Sequence, residues 1–283
     1  MTTIMKAKEA ADQVYENVKQ HVEEWKGRGH EPRLAVILVA GDPASAYYAQ
    51  SKQKIAQRLG IAFDLYEYPE EVHEEEIMQQ VARLNTDPGV HGIMLELPLP
   101  KHLSAGTIVN AIAPWKDIDG VTPSNQRATI TGEAGLYPAT PQACIQLLKH
   151  YGYPLEGKNV TLIGRGQTVG LPLFHLLQHE QATVTVCHSR TPDIAMHLSH
   201  ADIAIAAVGH AHMIQPNMVH EKLVFIDAGI NETDEGKIVG DISPDVAQHV
   251  QAISPVPGGV GTLTTAILYQ NLMKAIRLQK EVR

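Results

Sequence analysis

The sequence predicts an α/β fold in two lobes, on three observations. Strand-like and helix-like segments alternate along the whole chain, the pattern of parallel sheets covered by helices. The alternation lapses once, over an irregular stretch at 114–137, and then resumes. In the resumed half a strand runs straight into a glycine-rich turn and a helix, which marks that lobe as Rossmann type. A length of 283 residues exceeds one typical domain and falls short of three. A hydrophobic content of 44% supplies enough apolar side chains for a core in each lobe.

The elements follow in order. Residues 6–25 read as a helix, and the apolar run Arg33–Val39 as a buried strand. Past the turn residues Gly41, Asp42 and Pro43 a helix covers about 45–59. Strands are expected at Ala62–Tyr68 and 92–97, with a helix over about 74–84 between them, and Pro98-Leu99-Pro100 stops the third strand. After the irregular stretch, Thr140 as N-cap and Pro141 as first residue open the next helix. Strands at Asn159–Ile163, 182–187, 202–208 and 223–226 complete the second series. The last stretch, 264–280, is amphipathic and helical.

The net charge of −8 argues against nucleic acid or an anionic membrane as the main partner, and leaves room for a small anionic ligand in a local basic pocket. Cys144 and Cys187 stand far apart, as free thiols in a reducing compartment do. The first twenty residues lack an apolar signal core, and no run approaches the ~20 apolar residues that span a bilayer. The expected location is the cytoplasm. Among the 15 histidines, the pairs His197/His200 and His210/His212 have no third ligand nearby, so no metal site is expected.

Gly164-Arg165-Gly166-Gln167-Thr168-Val169-Gly170 follows the strand ending at Ile163 and precedes a helical run from Leu171. Its spacing is a variant of the dinucleotide fingerprint, in which glycines admit a pyrophosphate to a helix N-terminus. A tight structural turn is the competing account, and the strand–turn–helix context favours the cofactor. The next strand ends in His188-Ser189-Arg190-Thr191, with no acid to hold a ribose 2′-hydroxyl. Hydroxyls and an arginine suit the 2′-phosphate of NADP, with Arg165 as a second phosphate ligand, although an ordinary polar turn has the same residues.

Four further strings carry chemistry. Ser254-Pro255-Val256-Pro257-Gly258-Gly259-Val260-Gly261 combines stiff and permissive residues, so that backbone N–H groups can approach a flat ligand. In Gly41-Asp42-Pro43-Ala44-Ser45-Ala46-Tyr47-Tyr48-Ala49-Gln50-Ser51-Lys52 the residues Tyr48 and Lys52 share one helix face at i and i+4. A partly desolvated lysine gives up its proton more readily, and a phenol can stack on a ring and donate a hydrogen bond. From the spacing alone, a solvated lysine beside a packing tyrosine is the favoured account. Lys116-Asp117-Ile118-Asp119-Gly120 offers a carboxylate that can accept two neighbouring N–H donors, or is merely an acidic surface turn. The fourth string is Gly92-Ile93-Met94-Leu95-Glu96-Leu97-Pro98-Leu99-Pro100.

Together and in this order, over nearly the whole chain, these strings resemble the methylenetetrahydrofolate dehydrogenase/cyclohydrolase family of folate one-carbon metabolism. The resemblance implies oxidation of 5,10-methylenetetrahydrofolate with NADP, followed by hydrolysis to 10-formyltetrahydrofolate, in support of purine, methionine and histidine biosynthesis. It implies a catalytic folate-binding domain at 1–135 and an NADP-binding domain at 136–263, with a cleft between them and helix 264–283 packed back on the first. Tyr48, Lys52, Glu96 and Asp119 fall at catalytic positions, Asp119 as the pterin-binding carboxylate. Tyr48, Asp119, Pro257, Gly258 and Gly259 would contact the folate. Gly164, Arg165, Gly166, Val169, Gly170, Ser189, Arg190, Thr191, Val208, Gly209, Gly229, Ile230 and Thr264 would contact NADP. A homodimer built on cofactor lobes is implied as well. The competing functions are another two-lobe NAD(P) dehydrogenase acting on an amino or hydroxy acid, and a non-catalytic folate- or nucleotide-binding paralogue.

The chain departs from the family pattern at several positions. Gly166 replaces a serine, and one lost hydrogen bond to a charged group weakens NADP preference by about 1.5–3 kcal/mol. Ala139, Ala143, Arg127 and Thr262 stand where Cys, Gly, Gly and Pro are usual. Glu96 replaces a glutamine; if it faces Lys52 it favours the charged lysine and weakens the cyclohydrolase step relative to the dehydrogenase.

Overall fold

The computed structural model describes residues 1–233 and 235–281. The chain opens with β1 (Thr3–Ile4), α1 (Lys8–Gly27), β2 (Arg33–Val39), α2 (Pro43–Leu59), β3 (Ala62–Tyr68), α3 (Glu74–Thr86) and β4 (Gly92–Leu95). Then come α4 (Ala105–Ala111), α5 (Pro123–Thr131), α6 (Ala139–His150), β5 (Asn159–Ile163), α7 (Gly170–His179), β6 (Thr183–Cys187) and α8 (Ile194–Leu198). It closes with β7 (Ile203–Ala206), β8 (Val224–Asp227), β9 (Asn231–Glu232), β10 (Ile238–Val239), β11 (Ala252–Ile253) and α9 (Val260–Glu281). Two compact units result, one from Met1–Gln13 with Pro138–Ile267, the other from Val14–Tyr137 with the residues from Leu268 onward.

The second of these units holds a three-stranded parallel sheet in the order β3-β2-β4. Central β2 is buried on both faces, which is why its sequence is a continuous apolar run. Helix α3 turns Ile77, Val81 and Leu84 inward, a stripe at i, i+4 and i+7, against Ala35, Ile37, Ile93 and Leu95. Strands β2 and β4 run in register, Ile37 beside Leu95, so their C-terminal ends deliver the start of α2 and Glu96 to the same edge. There Asp42 caps α2, accepting from the Ser45 amide at 2.9 Å. The Ser45 hydroxyl lies 2.6 Å from the same carboxylate and 3.1 Å from the Leu97 carbonyl. The far half of α9 fastens this edge: buried Tyr269 donates to the Lys52 carbonyl, and Asn271 to the carbonyls of Ile118 and Tyr137 at 2.8 and 2.9 Å.

The other unit is built on a six-stranded sheet in the order β1-β11-β8-β7-β5-β6, parallel throughout. Numbered from β5, its main strands run 2-1-3-4-5, a doubly wound plan whose order reverses between β5 and β7. Ligands of such sheets bind outside the strand C-termini at that reversal. Here those ends are Gly164 after β5 and 207–209 after β7.

Most expected elements occur, and the differences have physical reasons. Helix α6 begins at Ala139, with Thr140 and Pro141 inside its first turn rather than at cap and first position; a first-turn residue needs no intrahelical N–H donor. Strand β4 stops at Leu95 instead of 97, and α9 starts at Val260 instead of 264 because Gly261 sits in its first turn, where a glycine ends nothing. Helix α5 lies inside the stretch expected to be irregular; its buried residues are Asn125, Ala128 and Thr129, so no apolar period announces it. The last two residues of the expected final helix, 282–283, lie outside the described residues.

Candidate active site

The Lys52 ammonium donates to both oxygens of Glu96, at 2.7 and 2.8 Å. Their side chains are only 13% and 5% exposed, so this is a largely desolvated ion pair. Such a pair adds little net stability, yet removing one partner leaves a costly lone charge. The geometry follows directly from the fold: Lys52 is nearly three turns beyond the Asp42 cap on α2, and the Glu96 amide bonds to the Ile37 carbonyl at 2.9 Å, which keeps Glu96 beside β2. Tyr48, one turn before Lys52, stays 40% exposed, its ring edge-on to Tyr47 at 5.9 Å between centroids.

Asp119 stands close enough to feel both members of the pair. Burial pushes its carboxyl up to about 7; Lys52 opposes the rise, while Asp117 and Glu96 add to it. The residue nevertheless keeps part of its surface open. Two carboxylates and one lysine thus form one electrostatic cluster, in which Asp119 changes charge near neutral pH.

Charge does different work in the rest of that string. Lys116 is buried and donates to the carbonyls of Leu84 and Asp87, both at 2.7 Å, closing the end of α3. Asp117 is buried and accepts from the amides of Gly120 and Thr122 at 3.0 and 2.8 Å and from Asn125 at 2.9 Å. The reading of this string as a surface turn therefore misses its two anchors. Asp117 fixes the turn that presents Asp119.

In the other unit, Gly164 has φ +113°, and a Cβ there would lie 2.2 Å from the Ala207 carbonyl oxygen. Only glycine allows β5 and β7 to end this close. Arg165 and Gly166 are exposed, Val169 is half-buried, and Gly170 begins α7. A Cβ at Gly166 would meet nothing within 4 Å, so the missing serine hydroxyl is not a steric concession. Ser189 and Arg190 are exposed beyond β6, and the Thr191 hydroxyl accepts from the His188 amide at 3.0 Å. The amides of Val208 and Gly209 face Asp241, Gly229 is buried, and Ile230 is 60% exposed. The Thr264 hydroxyl is 3.0 Å from the Val260 carbonyl and 3.3 Å from Thr140. Pro257, Gly258 and Gly259 belong to this unit too, the first two exposed and the third buried. A glycine turn at a helix start, with two exposed arginines and a serine, fits a pyrophosphate and a further phosphate.

Both cysteines are free and buried. Among the described residues no group of three or more His, Cys, Asp or Glu could hold a metal ion, and no helix is long and apolar enough to cross a membrane.

A doubly wound sheet with a phosphate-type turn in one unit, and a buried lysine–carboxylate cluster in the other, define a two-unit nucleotide-dependent enzyme. Residues 5–119 match the catalytic-domain model of tetrahydrofolate dehydrogenase/cyclohydrolase, and residues 138–280 match its NAD(P)-binding-domain model. The chain belongs to the tetrahydrofolate dehydrogenase/cyclohydrolase family. It is 47% identical over 282 residues to bifunctional protein FolD 2 of Desulfitobacterium hafniense, covering 99% of each chain. It is 49% identical over 273 residues to bifunctional protein FolD of Heliobacterium modesticaldum, covering 96% of this chain and 95% of that one. Among solved structures, the bifunctional FolD of Campylobacter jejuni superposes with a TM-score of 0.95 at 37% identity, over 99% and 100% of the two chains. The Trypanosoma brucei enzyme, complexed with NADP and an inhibitor, gives 0.92 at 32% identity, over 100% and 99%.

Proposed function

We infer that the protein oxidises 5,10-methylenetetrahydrofolate to 5,10-methenyltetrahydrofolate with NADP, then hydrolyses that cation to 10-formyltetrahydrofolate with release of a proton. The observation that carries this reading is the Lys52–Glu96–Asp119 cluster in a chain that also has the phosphate-type turn at Gly164. The folate chemistry belongs to the Lys52-bearing unit and the cofactor to the unit with the glycine turn. NADP, when bound, supplies the hydride acceptor. Asp119 accepts the paired N–H donors of the pterin, Tyr48 lies against the folate ring system, and Lys52 serves the water step. Pro257, Gly258 and Gly259 offer backbone to the substrate, and the glycine-turn, 189–191, 208–209, 229–230 and Thr264 positions line the cofactor. We place the enzyme in the cytoplasm, feeding purine, methionine and histidine synthesis.

Absorbance of NADPH formed from methylenetetrahydrofolate tests the first step, and loss of methenyltetrahydrofolate without cofactor tests the second. Cofactor-dependent turnover in the first assay is expected; none with freshly purified protein refutes the reading. NADP should be preferred to NAD, because exposed Ser189 and Arg190 follow β6 with no acid among them. Arg165→Glu and Arg190→Glu should each raise KM for NADP more than for NAD. A wild-type preference for NAD, measured as the ratio of kcat/KM values, defeats this assignment. The protein is also a homodimer in this reading. Light scattering at micromolar concentration should return twice the chain mass of 30.9 kDa, and a monomer mass refutes it.

A further inference from the structure

The unit bearing the glycine turn contains two buried carboxylates that the reaction does not use. Asp241 is fully buried and Asp227 is 3% exposed. Four N–H donors converge on the Asp241 side chain: the amides of Val208, Gly209 and His210 at 2.7, 3.2 and 2.8 Å, and the Asn231 side-chain amide at 3.0 Å. Three successive backbone amides around one anion form the concavity that usually receives a ligand phosphate, and here the protein fills it from within. Asp227, the last residue of β8, accepts in turn from the amides of Gly229, Asp241 and Ile242 at 2.9, 3.1 and 3.0 Å. Burial pushes the Asp227 carboxyl up to about 6, against the pull of those amides.

Two glycines exist for this arrangement. A Cβ at Gly229 would come within 2.2 Å of the Asp241 carboxyl, and one at Gly240 within 1.9 Å of Asp227. The carboxylates occupy the room that side chains would take.

The consequence reaches the sheet's reversal point. In a trans peptide the C=O points opposite to the N–H. With the Val208 N–H turned to Asp241, the Ala207 carbonyl is turned the other way, and it is this oxygen that lies against Gly164. Asp241 therefore sets how the end of β7 meets the first residue of the phosphate-type turn.

We propose that Asp241 is a positioning residue for the cofactor, holding 208–210 so that the β5 and β7 ends keep the spacing a dinucleotide requires. The proposal rests on the reading of this unit as the NADP site. The substitution Asp241→Asn keeps the shape but turns one acceptor into an N–H donor facing N–H donors. It should raise KM for NADP about ten-fold or more, while methenyltetrahydrofolate hydrolysis measured without cofactor stays within about two-fold. An unchanged KM for NADP, or an equal fall in both activities, overturns the positioning role. Direct titration of wild-type protein with NADPH separates the two failures. Wild type that does not bind refutes the cofactor reading itself; wild type and variant that bind equally refute only the role of Asp241. Should Asp241→Asn not fold, Asn231→Ala removes a single donor; a rise of about three-fold in KM for NADP supports the proposal and an unchanged KM overturns it.

Discussion

Replacing Asp119 with asparagine should remove most folate turnover and, above neutral pH, make the protein more stable. A carboxylate accepts both paired donors of a pterin; an asparagine accepts one and opposes the other. The loss in kcat/KM should be about a hundred-fold in both half-reactions. The stability effect comes from the same residue. Burial raises the Asp119 carboxyl from 3.8 to about 7, with Lys52 pulling the other way and Asp117 and Glu96 adding to the rise. A folded-state value above the unfolded one means that the folded protein keeps its proton where the unfolded chain has lost it. The stability this gives is complete below the unfolded value and is lost as pH rises through the folded one, here between about 4 and about 7. Asparagine cannot ionise and escapes that loss. The Tm difference between variant and wild type should therefore be larger at pH 8 than at pH 5. Equal differences at the two pH values defeat the electrostatic account, and retained turnover defeats the assignment to the pterin.

Strands β2, β3 and β5 are legible to the residue because apolar runs between turn signals leave few alternatives. Helical spacing puts Tyr48 and Lys52 on one face, but only the resemblance of the surrounding string singles them out as candidates. Asp117 and Lys116 are not, since a charged string reads as solvated and nothing local shows that Asn125, Leu84 and Asp87 supply partners. The same holds for Asp241, whose donors come from segments ten and more than thirty residues away. Its signal is indirect: Gly229 and Gly240 stand where no turn needs glycine but two carboxylates need space. Helices α4 and α5, of seven and nine residues, are too short for an apolar period to emerge.

Glu96→Gln should raise the ratio of cyclohydrolase to dehydrogenase activity several-fold near neutral pH, because it removes the carboxylate that engages the Lys52 ammonium. The structure supplies the contact on which this depends: Glu96 takes the Lys52 ammonium on both its oxygens, at 2.7 and 2.8 Å, with little solvent to screen the pair. A carboxylate so placed takes up the donors of the ammonium and keeps them from the water and the developing charge of the hydrolysis step. Hydride transfer depends mostly on the alignment of two rings and should change little. Glutamine keeps one acceptor and removes the charge. Asp119 provides an internal check, because Glu96 is one of the groups that raise its carboxyl. Removing that charge leaves Lys52 more free to stabilise ionised Asp119, so the Asp119 titration, followed by NMR, should move to lower pH in the variant. The substitution also leaves Lys52 without its buried partner, so melting temperatures must be compared and both activities assayed well below them. A collapse of cyclohydrolase with dehydrogenase intact would identify Glu96 itself as the base for water. An unchanged ratio together with an unchanged Asp119 titration would place Glu96 outside the chemistry, and the pair would then serve only to hold α2 against the end of β4.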